Sequence, residues 1–110
     1  MNLFDFAECA LQAHATENNL VIDKDSLIKL KSIFDRVQKL VNCGLINVST
    51  ISIAHLPYCE LSIVNNHTPY SLFLENVATV KESVLLAGGE CTKADNGCII
   101  VRFKVEMSAT

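Results

Sequence analysis

Residues 70–106 read YSLFLENVATVKESVLLAGGECTKADNGCIIVRFKVE, and this stretch decides the fold class. Residues 70–74 read as a strand, and Asn76 suits the N-cap of a helix that follows it. The helix is predicted to end at Gly88-Gly89, because a glycine just past the last turn adopts the left-handed conformation without steric cost. A hairpin around Asn96-Gly97 comes next, since both residues tolerate a positive φ.

The final strand of this stretch alternates between apolar and polar residues. Ile99, Val101 and Phe103 fall on one face, whereas Arg102 and Lys104 fall on the other. Such alternation is typical of an antiparallel sheet with one dry face and one wetter face. We therefore expect the helix to cover the apolar face of this strand.

The hairpin also predicts where two cysteines lie. With a three-residue Asp-Asn-Gly loop, Cys91 lies opposite Val101, and Cys98 is three positions away, about 10 Å along the strand. A disulfide spans at most about 7 Å between Cα atoms. We therefore expect Cys91 and Cys98 to remain unbonded, which a mass measurement under non-reducing conditions would test.

Residues 3–43 are predicted to form a pair of helices. Asn2 caps the first, which ends near residue 17, and Asp23 or Asp25 caps the second, which Gly44 ends. In the second helix apolar residues recur at alternating steps of three and four, and they are Leu27, Leu30, Phe34, Val37 and Val41. This stripe packs on the first helix and the sheet, or it forms a helix-pair seam between two copies of the chain.

Two further strands are predicted between the helix pair and residue 70. The first runs over residues 50–55, and a change in the phase of the apolar residues predicts a bulge near Ser49-Thr50. Leu56-Pro57 marks a turn or a sheet edge, because proline has no N–H to donate to a ladder. Residues 59–63 form the second strand, with Cys59 on its inward face.

These elements predict one α+β domain over residues 1–110, with a helix pair at 3–43 and the sheet and third helix at 50–106. The expected architecture is a two-layer sandwich of order ααβββαββ, in which helices pack on one face of a five-stranded antiparallel sheet. Three strands, a helix and two strands form an order similar to that of small acidic dimeric chaperones of bacterial secretion systems. That resemblance implies a dimer that binds a partner. The N-terminal helix pair and the lack of a C-terminal helix depart from that family, so no residue roles carry over.

Composition limits the classes of function. The net charge of −3 argues against a nucleic-acid partner. Hydrophobic residues make up 50% of the chain, a high share for one small domain, which favours a homodimer that buries part of them. No stretch approaches the roughly eighteen apolar residues of a membrane span. The first fifteen residues lack the basic region of a signal peptide, so we expect a cytoplasmic protein.

The five cysteines and three histidines do not form a recognisable chemical site. No cysteine pair has the Cys-x-x-Cys spacing of zinc and redox motifs. His55 and Cys59 are four residues apart, but two ligands do not make a metal site. We therefore predict no metal, no cofactor and no catalytic residue. A small enzyme that uses Cys59, Cys98 or a histidine is the alternative, and Cys98, on the wetter face, is the thiol expected to react first.

The loop at residues 65–70 is the first candidate for a ligand or partner contact, because loops carry binding groups disproportionately. A plain turn is the other interpretation of the same residues. The predicted contact residues, including two at the other end of the same hairpin, are His55, Tyr58, Asn65, Asn66, His67 and Tyr70. The sequence thus predicts a non-catalytic binding protein that acts as a homodimer, with a small-molecule pocket between helix and sheet as an alternative.

Overall fold

A computed structural model of the chain describes residues 2–53 and 58–110. Within them, helices accompany strands whose pairings are all antiparallel, which is the α+β class. In order they are α1 (Leu3–Glu17), β1 (Leu20–Ile22), α2 (Lys24–Asn42), β2 (Ile46–Ser52), β3 (Tyr58–Asn65), α3 (Tyr70–Leu86), β4 (Glu90–Lys93), β5 (Ile99–Lys104) and β6 (Met107–Ala109). No helix in these residues is long and apolar enough to cross a membrane.

The first two helices begin at the residues that the sequence predicts. The Asn2 side chain accepts a hydrogen bond from the Asp5 N–H at 3.1 Å. Asp23, rather than Asp25, caps α2 and accepts from the Ser26 N–H at 3.0 Å. Each cap satisfies a backbone donor that has no partner inside its own helix, which stabilises the helix by about 1 kcal/mol.

The helix ends predicted at glycine are confirmed. Gly44 and Gly88 both adopt positive φ, at 74° and 83°. At the end of α3, the Gly88 N–H donates to the Leu85 carbonyl and the Gly89 N–H donates to the Val84 carbonyl, at 3.1 and 2.8 Å. This pair of bonds is the Schellman arrangement, which satisfies carbonyls of the last turn and reverses the chain.

The predicted strand over residues 70–74 is wrong, because these residues form the first turns of α3. The apolar residues at 70, 72 and 74 suggested a period of two. Phe73 is instead the residue that is buried, and with Val77, Val80 and Val84 it forms a stripe at helical spacing. Pro69, not Asn76, stands at the N-cap position, where its missing N–H costs no hydrogen bond.

Within the described residues, the main sheet has four strands, not five. Its order is β2-β3-β5-β4, and every neighbouring pair is antiparallel. The fifth predicted strand is absent because its residues belong to α3. A separate two-stranded sheet pairs β1 with β6, so Val21 lies opposite Ser108.

The predicted bulge is confirmed by a register shift between Val48 and Thr50 in the β2–β3 pair. Strand β2 begins at Ile46, earlier than predicted. The predicted strand end at residues 54–55, including His55, and the turn at Leu56-Pro57 lie outside the described residues. The hairpin register is also confirmed, since Cys91 is the partner of Val101.

The core lies between the helices and one face of the four-stranded sheet. The inward residues of β5, Val101 and Phe103, are buried, as predicted, and Ile99 packs against the core. Arg102 is half-buried and Lys104 is exposed on the other face. The buried apolar residues of α1, α2, α3 and the sheet form one cluster. Its largest fully buried members are Phe34, Phe73, Leu11, Leu30, Ile33, Ile46, Leu61 and Ile63.

Candidate functional site

A half-enclosed cleft of about 400 Å³ lies between α3 and the edge strand β4. We call it the α3–β4 cleft. Its apolar wall comes from Leu74, Val77 and Ala78 of α3 and from Ile99 of β5. The cleft lies on the side of the sheet that the helices cover, because Cys91 of β4 is paired with the inward-facing residue of β5. Its shape and lining suit an apolar group.

The chain reversal at the end of α3 builds this cleft. Only two residues follow the helix C-cap before β4 begins, so the strand must start directly beneath the last turn of α3. The approach is close at Gly89. A Cβ atom there would lie 2.7 Å from the Arg102 carbonyl oxygen and 2.9 Å from a methyl carbon of Val84. Glycine is therefore needed for β4 to pack beside both α3 and β5.

Two lysines give the cleft a positive rim. Among the described residues, the two charged members of its lining are lysines, Lys81 from α3 and Lys93 from β4. The Lys93 Nζ lies 5.0 Å from the ring centroid of Tyr70, a cation–π contact that holds the ammonium group near the helix N-terminus. Burial raises the pKa of the Cys91 thiol, and the nearby Lys81 ammonium opposes that rise. An apolar group that carries a negative charge complements these surroundings.

The predicted contact loop uses its amides to hold its own shape. The Asn65 Oδ1 accepts from the Thr68 N–H at 3.1 Å and from the Thr68 Oγ1 at 2.6 Å. Asn66 donates to the Gly44 carbonyl at 2.6 Å, and Asn47 donates to the Asn66 Oδ1 at 3.3 Å. The loop thus ties the end of β3 to the end of α2. These contacts favour the plain-turn interpretation for Asn65 and Asn66.

His67 and Tyr70 differ from the two asparagines. His67 is exposed and has a φ of 61°, so its imidazole stands at the surface of the turn. The Tyr70 hydroxyl donates to the Gly97 carbonyl at 3.1 Å and so links α3 to the tip of the β4–β5 hairpin. Tyr70 also contacts Lys93, which lines the α3–β4 cleft, but Tyr70 itself is not part of the lining.

Tyr58 lies at the opposite end of β3 from Asn65, so the structure does not bring these two predicted residues together. The Tyr58 ring instead stacks on the Arg102 guanidinium, whose Cζ is 4.0 Å from the ring centroid. The Arg102 Nε lies 3.3 Å from the Glu60 Oε2, an ion-pair distance without hydrogen-bond alignment. This half-exposed cluster lies on the uncovered face of the sheet. Predicted residue His55 is outside the described residues.

The thiols differ widely in exposure. Cys59 is 2% exposed, and burial raises the pKa of its thiol to about 12, with a smaller contribution from Glu60. Cys98, predicted as the first thiol to react, is half-buried, whereas Cys9 and Cys43 are exposed. All five cysteines are free. That Cys98 reacts first with a thiol reagent therefore stays a prediction. By exposure alone, Cys9 and Cys43 are more accessible to such a reagent.

A second surface lies between α1 and α2. It is an open groove of about 470 Å³ with an apolar floor that includes Phe4 and Leu27. Beside it, Ile28 is 68% exposed, among the largest values for an apolar side chain in the described residues. One rim is acidic and belongs to α1, and the other is basic and belongs to α2. The charged rim residues are Asp5 and Glu8 on α1 and Lys24 and Lys31 on α2.

Neither surface contains a cluster typical of a metal site. Within residues 2–53 and 58–110, no three His, Cys, Asp or Glu side chains lie together in an arrangement that could hold a metal ion. Comparison with known proteins finds no matching family model, no similar curated protein and no similar solved structure. The resemblance to secretion chaperones depended on a third strand before the helix, and that strand is part of α3.

The spacing of three residues of α3 is a sequence signal for the cleft. Leu74, Ala78 and Lys81 recur at steps of four and three, so they share one side of a helix. A helix that ends at Gly88 and a strand that begins at Glu90 must then lie side by side. The missed residues are thus Lys81 on the helix, with Cys91 and Lys93 on the strand. The erroneous strand at residues 70–74 removed Leu74 from the helix and hid this relation.

Proposed function

We propose that this chain is a non-catalytic binding protein whose α3–β4 cleft takes a ligand with an apolar body and a negative charge. The observation that carries the proposal is a half-enclosed apolar cleft whose only two charged lining residues, within the described chain, are lysines. Ligand pockets are mostly apolar with a few well-placed polar groups. The arrangement therefore supports recognition rather than bond-making chemistry.

The surroundings of Cys59 and Cys91 favour binding over thiol catalysis. A cysteine nucleophile needs a lowered pKa, because the thiolate is the reacting species. The pKa of Cys59 is instead raised to about 12, and that of Cys91 is raised as well. Free thiols throughout the chain fit a reducing compartment, so we keep the cytoplasm as the proposed location.

Octanoate is a suitable first probe, because it combines an apolar chain with one carboxylate. At roughly 0.4 kcal/mol for each of its about ten non-hydrogen atoms, it would bind with a Kd of about 1 mM. We expect saturable shifts of the Ala78, Cys91 and Lys93 amide signals when ¹⁵N-labelled protein is titrated in an NMR experiment. No saturable shift at these amides in the millimolar range would overturn the proposal.

A cleft-filling variant and a matched control locate the binding. Ala78→Trp places an indole in the cleft, and we expect it to abolish the octanoate shifts. Thr79→Trp adds the same side chain at the next residue, which is exposed but does not line the cleft, and it should leave the titration unchanged. Binding that survives in Ala78→Trp would place the site elsewhere.

We also propose that the chain forms a homodimer through the groove between α1 and α2. In a two-fold dimer each patch meets its own copy, so a self-complementary surface is required. The groove has this property, because an acidic rim and a basic rim flank an apolar floor and the exposed Ile28. The acidic rim of one copy can meet the basic rim of the other while Ile28 enters the facing groove.

Analytical ultracentrifugation tests this dimer. Ile28→Lys adds a third positive charge beside the basic rim and should weaken association at least tenfold, or about 1.4 kcal/mol. Leu86→Lys is the control, because Leu86 is 81% exposed on α3 and lies away from the groove. A monomer at high concentration would refute the dimer, and a dimer broken only by Leu86→Lys would refute the groove.

A further inference from the structure

Strand β4 lies at one edge of the four-stranded sheet. Along an antiparallel strand, alternate residues direct both backbone polar groups to the same neighbour. The Ala94 N–H donates to the Cys98 carbonyl at 2.8 Å, so Ala94 points toward β5. By alternation Thr92 does the same, and Cys91 and Lys93 direct their N–H and C=O groups away from the sheet. Within the described residues, no strand pairs with this edge.

The side chains of the same two residues border the α3–β4 cleft. Cys91 and Lys93 are paired with Val101 and Ile99, so both side chains lie on the face that the helices cover. Directly opposite residues of an antiparallel pair share a face. A strand added beside β4, about 4.8 Å further out, would therefore direct the residues opposite Cys91 and Lys93 toward α3 and the cleft.

The charges specify the side chains of such a strand. A residue opposite Lys93 gains a favourable cross-strand pair if it is acidic. A residue opposite Cys91 meets the apolar wall of the cleft, with the Lys81 ammonium close by. The two residues are separated by one position. In an antiparallel strand the partner of Lys93 comes first along the added chain.

We infer that an extended peptide segment with the order acidic–x–apolar binds antiparallel to β4 as a fifth strand and places its apolar side chain in the α3–β4 cleft. This inference rests on the proposed function and names the class of ligand for the same cleft. Backbone hydrogen bonds to Cys91 and Lys93 provide affinity, and the cleft and its lysines provide selectivity.

A second copy of the chain fits this edge less well. A two-fold axis places the same residues on both sides of an interface. Pairing of β4 with its own copy would therefore bring two Lys81 and two Lys93 ammonium groups to one seam, where they repel each other. The rim charges favour an acidic partner.

The first test is selection from a phage-displayed library of random dodecapeptides on the immobilised full-length chain. We expect enriched sequences to share Asp or Glu two positions before an apolar residue. A synthetic peptide of the enriched sequence should bind Lys93→Glu about fivefold to tenfold more weakly, since the charge opposite its acidic residue becomes repulsive. Lys39→Glu on α2 makes the same charge change away from the cleft and should bind normally. Enrichment without an acidic residue, or no enrichment, overturns the inference.

Amide hydrogen exchange reports the backbone pairing directly. The bound peptide should slow exchange of the Cys91 and Lys93 amides at least tenfold and leave Thr92 unchanged, because Thr92 already faces β5. A peptide N-methylated at the residues opposite Cys91 and Lys93 should lose binding. Equal slowing of all three amides, or undiminished binding of the N-methylated peptide, would contradict strand addition.

The octanoate titration separates failure of this inference from failure of the proposed function. If octanoate shifts the Cys91 and Lys93 amides but no peptide binds, the cleft is a small-molecule site and the peptide inference is wrong. If neither probe binds the cleft, both proposals are wrong. Edge-to-edge dimers that Lys93→Glu strengthens would instead identify a second copy as the occupant.

Discussion

Because the thiol of Cys59 is buried, we expect the unfolding free energy of the chain to decrease at alkaline pH. Burial raises its pKa from 9.0 to about 12, because the interior disfavours the thiolate. The folded state thus holds this proton more tightly than the unfolded state does. The contribution is fully present below about pH 9, declines as the pH rises, and is exhausted once the pH passes about 12.

The expected size follows from the two pKa values. At about pH 10 the unfolded thiol is about one unit past its pKa and mostly ionised, whereas the folded thiol is still neutral. One unit corresponds to roughly 1 kcal/mol of unfolding free energy. Urea unfolding of the reduced protein at about pH 8 and about pH 10 measures this loss. Other groups also titrate in this range, so the comparison must be made against Cys59→Ala.

Cys59→Ala removes the titrating thiol and leaves the other groups in place. We expect its unfolding free energy at about pH 8 to be lower than that of the unmodified protein, because a buried sulfur has been lost. Between about pH 8 and about pH 10, however, Cys59→Ala should lose roughly 1 kcal/mol less unfolding free energy than the unmodified protein. Parallel curves for the two proteins would refute the reasoning. Rapid labelling of Cys59 by iodoacetamide in the folded protein at neutral pH would do so independently and would restore the thiol-enzyme alternative.

Two further outcomes follow from close contacts. Gly89→Ala should lower the unfolding free energy by about 1–3 kcal/mol, since its Cβ would lie 2.7 Å from the Arg102 carbonyl oxygen; Gly88→Ala, with open space but a φ of 83°, should cost about 1 kcal/mol. Asn65→Ala should cost about 1–2 kcal/mol in thermal unfolding by removing its bonds to Thr68, without changing octanoate binding. If the loop bound the ligand, Asn65→Ala would instead weaken octanoate binding with little change in stability.

The features that were predicted correctly depend on residues close together in the chain. The Asn2 and Asp23 side chains accept from backbone N–H groups three residues further along, and Gly44 and Gly88 each follow the last turn of a helix. The hairpin register at Cys91 follows from a turn only a few residues distant. Each of these arrangements is set by short-range sterics and hydrogen bonds, which the local sequence expresses directly.

Residues 70–74 show where a local pattern is insufficient. Tyr70, Leu72 and Leu74 fit a strand with one apolar face, yet in α3 they are 36%, 41% and 40% exposed. Phe73 is fully buried and aligns with the stripe that continues through Val84. Over five residues the apolar pattern fits both the two-residue period of a strand and the 3.6-residue period of a helix. Packing of the whole helix against the core selected the helical period.

The candidate site was missed for a related reason. The predicted loop at residues 65–70 contains many polar groups, but the side chains of Asn65 and Asn66 form hydrogen bonds with Thr68 and with the Gly44 carbonyl at the end of α2. The α3–β4 cleft instead combines residues of α3, β4 and β5, none of which belongs to a recognisable sequence motif. Its existence depends on how far β4 lies from α3, which is a property of packing.

From its residue order alone, this chain determines an α+β class, the N-caps of its first two helices, the helix ends at Gly44 and Gly88, the β4–β5 register and the buried face of β5. These depend on backbone conformations and periodicities within about ten residues. The tertiary structure decided that β1 pairs with β6 across most of the chain, that the main sheet has four strands in the part of the chain that the structure describes, and that Lys81 and Lys93 share one cleft. Long-range pairings of this kind form when segments far apart in the chain bury apolar surface together. The free energy of that burial exceeds the conformational preference of each short segment.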